Sequence, residues 1–122
     1  MGDVGVAFHM DYGTSASGAD TMYGVTVFPA YFKYKSTIQD VYRAYYASDH
    51  DWMQVFKTET QAGRPSQLRI RDPAAGGHSV VVDGYRDSPN EQIHVNIGWS
   101  GEYDGWYAAN NIVSGIYTWS DV

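Results

Sequence analysis

The spacing of hydrophobic positions changes from helical to extended near the middle of the chain. In the segment 48–65, apolar residues such as Trp52 and Phe56 recur at the spacing of one helix face. Ser48 or Asp49 can cap the first backbone amides, and a glycine followed by a proline supplies the stop. The pattern therefore predicts a helix within this segment.

An earlier segment, 21–34, carries two competing signals. Its β-branched residues favour a strand, whereas Met22, Val25 and Phe28 recur at helical spacing. Pro29 lacks an N–H group and its ring strikes the preceding turn, so it would kink a helix. We nevertheless predict a helix here.

From Pro65 onward, short β-like segments alternate with turn signals rich in Gly, Pro, Asp and Ser. These segments are residues 66–70, 78–85, 92–99 and 105–109. The run 11–20 consists mostly of small polar residues and predicts a flexible surface loop. Helices followed by an antiparallel meander predict an α+β fold. The absence of a repeat, charge block or linker predicts a single domain over residues 1–122.

Composition excludes several classes of function. Hydrophobic residues make up 43% of the 122 residues without forming a run long enough to span a membrane, so we expect no membrane partner. The net charge is −6 and the basic residues are scattered, which argues against nucleic acid as a partner. The chain contains no cysteine, so it has no thiolate nucleophile, disulfide or zinc-thiolate site of its own.

The candidate chemistry lies in the segment "GGHSVVVDGY" and in the segment after it. A hairpin paired about residue 87 would set His78 directly opposite Asn96. The asparagine amide could then fix the tautomer of the imidazole, as in Cys-His-Asn peptidases. The alternative is that His78 caps a strand and Asn96 satisfies a backbone group. The other histidines have no metal-ligand spacing, so we predict neither a metal site nor a cofactor.

The ordered set "DVGVAFHMDYG", "GRP", "GGHSVVVDGY" and "HVNIGWSGEYDGWY" resembles the C-terminal, histidine-bearing half of a streptopain-type cysteine peptidase. That family is papain-like and is secreted by bacteria. The resemblance implies that His78 is the catalytic base, that Asn96 orients it, and that Trp99 shields their hydrogen bond from water. One departure is that Ile97 stands where the family often carries a first tryptophan.

The resemblance also implies what the chain lacks. Family members carry their catalytic cysteine N-terminal to the matched region, so we expect the chain alone to be inactive. We also expect residue 1 to be an internal start or the start of an excised fragment, and not a mature N-terminus. The expected partners are a protein or peptide substrate and the missing cysteine-bearing half. We also expect self-association through an uncovered apolar face. The expected location is extracellular, although the N-terminus shows no signal peptide.

A function of another class remains open at this point. A non-catalytic module could keep a peptidase-like frame and hold a peptide or glycan on exposed tyrosine and tryptophan side chains. The missing cysteine and the aromatic residues of "GWSGEYDGWY" favour this alternative.

Overall fold

The computed structural model describes residues 2–108, 110–115 and 117–119. The helices of this part of the chain are α1 (Gly2–Ala7), α2 (Gly24–Phe32) and α3 (Asp49–Gln61), with short 3-10 helices at Thr21–Tyr23 and Arg43–Tyr45. The strands are β1 (Asp11–Tyr12), β2 (Ser17–Gly18), β3 (Ser66–Asp72), β4 (Gly76–Arg86), β5 (Gln92–Asn96), β6 (Gly105–Tyr107), β7 (Ile112–Ser114) and β8 (Tyr117–Trp119).

These elements form two compact units, one up to Val41 and one from Tyr42 onward. The single-domain organisation stays a prediction. None of the described helices is long and apolar enough to cross a lipid bilayer.

The first unit contains α1, β1, β2 and α2. The predicted helix over 21–34 is confirmed for Gly24–Phe32, and Pro29 lies inside it. The segment predicted to be a flexible loop instead contains β1 and β2, which pair as a small hairpin whose residues are all exposed. The sequence gives no strand signal here, because the hairpin buries no hydrophobic face and so shows no alternation of apolar and polar residues.

The second unit is built on an antiparallel sheet with the strand order β3-β4-β5-β6, and β7 and β8 pair separately. Helix α3 packs on one face of the sheet. The core between them consists of Trp52, Met53, Phe56, Leu68, Ile70, Val80, Val82, Ile93, Val95, Ile97 and Ile112. The predicted α+β fold is therefore confirmed.

Helix α3 follows its sequence signals closely. The Ser48 hydroxyl oxygen accepts a hydrogen bond from the Asp51 amide at 3.1 Å, which satisfies one of the unpaired donors of the first turn. Trp52 and Phe56, one helical turn apart, are both buried against the sheet. The predicted helix is confirmed.

Polar contacts also fasten α3 to the tip of the β4–β5 hairpin. The Glu91 carboxylate lies 2.9 Å from His50 Nδ1 and accepts a hydrogen bond from the Tyr85 hydroxyl at 2.8 Å. Lys57 Nζ donates to Asp87 at 2.8 Å. Hydrogen bonds from His50 and Tyr85 lower the pKa of Glu91 below its ordinary value of 4.5.

The register of the β4–β5 hairpin differs from the predicted one. Val81 pairs with Asn96 and Val82 with Val95, and a bulge at Asp83 shifts the pairing on the way to the turn. Because pairing centred on residue 87 would have joined His78 to Asn96, that prediction is wrong by three positions. The reason is the position of the turn: the pairs beside it, such as Arg86 with Gln92, are centred on residue 89 and not on residue 87. The extra residue of the bulge in β4 offsets one of the resulting four positions.

Candidate active site

His78 lies near the start of β4, on the face that continues into the buried residues Val80 and Val82. Its imidazole is partly buried, and the Nε2 atom lies 2.8 Å from the main-chain oxygen of Ile97. A carbonyl oxygen can only accept a hydrogen bond, so Nε2 must carry a proton. In the neutral ring, Nδ1 is then the basic nitrogen, which is the protonation pattern that a general base requires.

Asn96 does not make the predicted direct contact with His78. It pairs with Val81 on the exposed face of the sheet, because side chains alternate between faces along a strand. Its Oδ1 atom accepts a hydrogen bond from the Gly98 amide at 2.9 Å. The predicted contact is therefore replaced by a local turn of the kind that asparagine side chains often make with the backbone two residues on.

The peptide group between Ile97 and Gly98 links these two side chains. Its carbonyl oxygen contacts His78 Nε2, and its N–H group donates to Asn96 Oδ1. Hydrogen bonds on the two ends of one peptide group polarise each other in the same direction. Asn96 therefore acts on the imidazole indirectly, through the peptide group that both side chains contact.

Trp99 lies beside the imidazole. The ring centroids of Trp99 and His78 are 5.3 Å apart and their planes are tilted by 36°. Tyr103 makes a T-shaped contact with Trp99, with the ring centroids 6.2 Å apart. Gly98, with a φ of 87°, allows the chain to leave β5 sharply and return Trp99 to the histidine.

Asp104 also belongs to the site, although the sequence analysis predicts no role for it. One of its carboxylate oxygens accepts a hydrogen bond from the Ile97 amide at 2.7 Å. The signal was present in the sequence, since Asp104-Gly105 belongs to the set of motifs that carries the family resemblance. The contact of the Ile97 oxygen with His78 cannot be predicted from the sequence, because every residue has the same carbonyl group.

No nucleophile accompanies the imidazole in the sequence, which contains no cysteine. Ser79 follows His78 directly, but it lies on the exposed face of β4, where its oxygen accepts a hydrogen bond from Gln67 at 2.8 Å. The described residues contain no group of three or more side chains placed to bind a metal ion.

A second histidine of the sheet, His94, belongs to a separate cluster on the outer face. Its Nδ1 atom lies 2.6 Å from Asp83, and its ring meets the edge of Trp106. Gly84 makes room for this cluster, because a Cβ atom there would lie 2.8 Å from the His94 Cβ atom.

The comparisons with known proteins agree on one family. The sequence model described as the Peptidase C10 family matches residues 1–107. Streptopains from two serotypes of Streptococcus pyogenes are each 32% identical to the chain over 107 residues, which is 88% of the chain. The structure of the active wild-type interpain A cysteine protease from Prevotella intermedia is 30% identical, covers 95% of the chain and gives a TM-score of 0.83.

The chain matches only part of each of these proteins. It spans 26% of the length of the curated streptopains and 48% of the solved interpain A chain.

Proposed function

The chain belongs to the peptidase C10 family, and from that membership we propose that it supplies the histidine-bearing part of a cysteine endopeptidase. The observation that supports this role is the contact of His78 Nε2 with the Ile97 oxygen at 2.8 Å, which fixes the tautomer of a base. The family resemblance of the whole set of motifs to streptopain supports it further.

In the proposed reaction, His78 Nδ1 takes the proton from a cysteine thiol that lies outside these 122 residues. The thiolate attacks the peptide carbonyl, and the imidazolium gives its proton to the leaving amine. A water molecule then loses a proton to Nδ1 and attacks the acyl-enzyme, which releases the second product and restores the thiol. The Ile97 oxygen stabilises the imidazolium because it accepts a hydrogen bond from Nε2 throughout.

Asn96 and Trp99 have supporting roles in this proposal. Asn96 holds the Gly98 amide and with it the peptide group whose oxygen contacts the imidazole. Trp99 covers one side of the ring and limits the access of water to the Nε2 hydrogen bond. Exclusion of water strengthens such a bond, since the local dielectric constant falls.

Alone, the 122 residues are proposed to be catalytically inactive because no side chain replaces the thiol. The complete protein is proposed to act outside the cell on protein or peptide substrates, by analogy with the family that it resembles.

Complementation tests this proposal. The chain is combined with the cysteine-bearing portion of a peptidase C10 relative, and cleavage of an unfolded fluorogenic protein is followed. We expect no cleavage by either part alone and cleavage by the mixture. His78→Ala should abolish the cleavage.

Ser79→Ala is the matched control, because it alters the next residue on the exposed face. Cleavage that survives His78→Ala, or that is lost equally with Ser79→Ala, contradicts the role of His78. A mixture that binds the unfolded protein without cleaving it supports the non-catalytic module instead.

A further inference from the structure

We infer that Asp104 is a positioning residue that holds the Ile97 carbonyl oxygen against His78. The catalytic meaning of this inference rests on the proposed function, whereas the positioning itself concerns only the described residues. The inference starts from the hydrogen bond of 2.7 Å between the Ile97 amide and the Asp104 carboxylate.

Ile97 is held at three points. Its side chain is fully buried in the core, its N–H group donates to Asp104, and its carbonyl oxygen contacts His78. The buried side chain fixes where the residue lies. The two main-chain bonds fix how its peptide groups are turned, and only that orientation aims the oxygen at Nε2.

The two peptide groups on either side of Ile97 are each held by a different side chain. Asp104 accepts from the N–H of the group between Asn96 and Ile97, and Asn96 accepts from the N–H of the group that follows. Rotation of the Ile97 oxygen away from the imidazole would break the second bond, and the first bond fixes the peptide group from which that rotation would start. A charged acceptor makes the Asp104 bond the stronger of the two.

The loop after β5 needs such an anchor, because two of its residues with side chains have a left-handed backbone conformation. Ser100 has a φ of 57° and Tyr103 a φ of 62°. Such backbone conformations are unfavourable and persist only where surrounding contacts hold them. Asp104 stands at the far end of this loop, directly before β6, and ties it back to its start at Ile97.

The test uses the 122-residue chain labelled uniformly with ¹³C and ¹⁵N. In the unsubstituted chain, the neutral His78 ring should carry its proton on Nε2, as read from its nitrogen chemical shifts. A through-hydrogen-bond coupling should join the Ile97 amide nitrogen to the Asp104 carboxylate carbon. Absence of this coupling overturns the inference without any substitution.

Asp104→Ala should increase the exchange rate of the Ile97 amide about tenfold, as the loss of a hydrogen bond to a charged acceptor predicts. It should also reduce the fraction of His78 rings protonated at Nε2. Asp104→Asn keeps an acceptor oxygen and should restore both signals toward those of the unsubstituted chain. Unchanged His78 signals in Asp104→Ala overturn the inference.

Asp83→Ala is the matched control, since it removes the same charge from the outer face, where the carboxylate contacts His94. An equal change of the His78 signals in this control also overturns the inference. In the complemented peptidase, Asp104→Ala should lower kcat with little change in KM, and Asp104→Asn should restore kcat. A mixture without cleavage would count against the proposed function, whereas the magnetic resonance signals would still decide the positioning.

Discussion

His78 Nε2 and the carbonyl oxygen of Ile97 lie 2.8 Å apart, so the protein's own backbone orients the imidazole. The side chain that sequence reasoning had assigned to this task, Asn96, holds the same peptide group from its other end. The geometry needed for a general base is thus assembled from one peptide group and the side chains that fix it.

Asn96→Ala should loosen this peptide group. The Gly98 amide loses its acceptor, so its hydrogen exchange should become faster and the free energy of unfolding should fall by about 1 kcal/mol. Asn96→Asp keeps the acceptor oxygen and should retain the protection of the Gly98 amide. Equal protection of this amide in Asn96→Ala and in the unsubstituted chain would show that the turn does not depend on the side chain.

Trp99→Ala should change the surroundings of the His78 ring. The tryptophan ring lies close enough to shift the carbon-bound proton resonances of the imidazole, and these should move toward the positions typical of a solvated histidine. Trp99→Phe keeps an aromatic ring and should retain part of the shift. If the resonances stay in place in Trp99→Ala, the two rings are not in contact in solution.

Gly84→Ala should destabilise the sheet by about 1–3 kcal/mol, as overpacking does. The new methyl group would lie 2.8 Å from the His94 Cβ atom and 3.3 Å from the Trp106 ring. The His94 Cβ atom is attached to the backbone of β5 and cannot move unless the strand moves. Chemical denaturation measures the effect. Gly77→Ala on the same strand is the control, because its nearest neighbour would be the Ile70 oxygen at 3.9 Å. Similar losses in both variants would contradict the steric explanation.

The contact of Glu91 with α3 predicts a dependence of stability on pH. The pKa of Glu91 in the folded protein lies below its ordinary value of 4.5, chiefly because His50 hydrogen-bonds to the carboxylate and secondarily because Tyr85 does. The contribution of Glu91 to stability is therefore complete above that ordinary value and is lost as the pH falls through the folded-state pKa. The free energy of unfolding of Glu91→Gln should therefore fall furthest below that of the unsubstituted chain at pH 6. This difference should become progressively smaller toward pH 3.

Urea unfolding at a series of pH values measures this difference. Glu102→Gln is the control, because the Glu102 side chain makes no hydrogen bond or ion pair with the described residues. A Glu91→Gln difference that is constant from pH 6 to pH 3 would show that the carboxylate is not stabilised by the fold.

The sequence was informative where local chemistry determines the structure. Ser48 marks the start of α3 because its hydroxyl group can satisfy the first free amides, and the buried spacing of Trp52 and Phe56 fixes the helix face. The β-like segments separated by turn signals likewise predict the four strands of the main sheet. The motifs around His78 were sufficient to identify the family.

The sequence was insufficient where non-local pairing determines the structure. The centre of the turn and the bulge at Asp83 set the register of β4 against β5, and neither leaves a pattern in the residues. The sequence therefore predicts Asn96 opposite His78, whereas Asn96 pairs with Val81. The Asp104 bond to Ile97 was missed for a related reason, because it depends on the closure of an irregular loop.

A contact made by a main-chain oxygen is invisible to ordinary mutagenesis, since all twenty amino acids supply the same atom at position 97. An alanine scan that replaced Ile97 would report the loss of a core side chain and would miss the link to His78. Chemical protein synthesis offers the missing tool: an ester in place of the amide between Ile97 and Gly98 weakens the carbonyl as an acceptor and removes the N–H that Asn96 binds, while every side chain stays as it is.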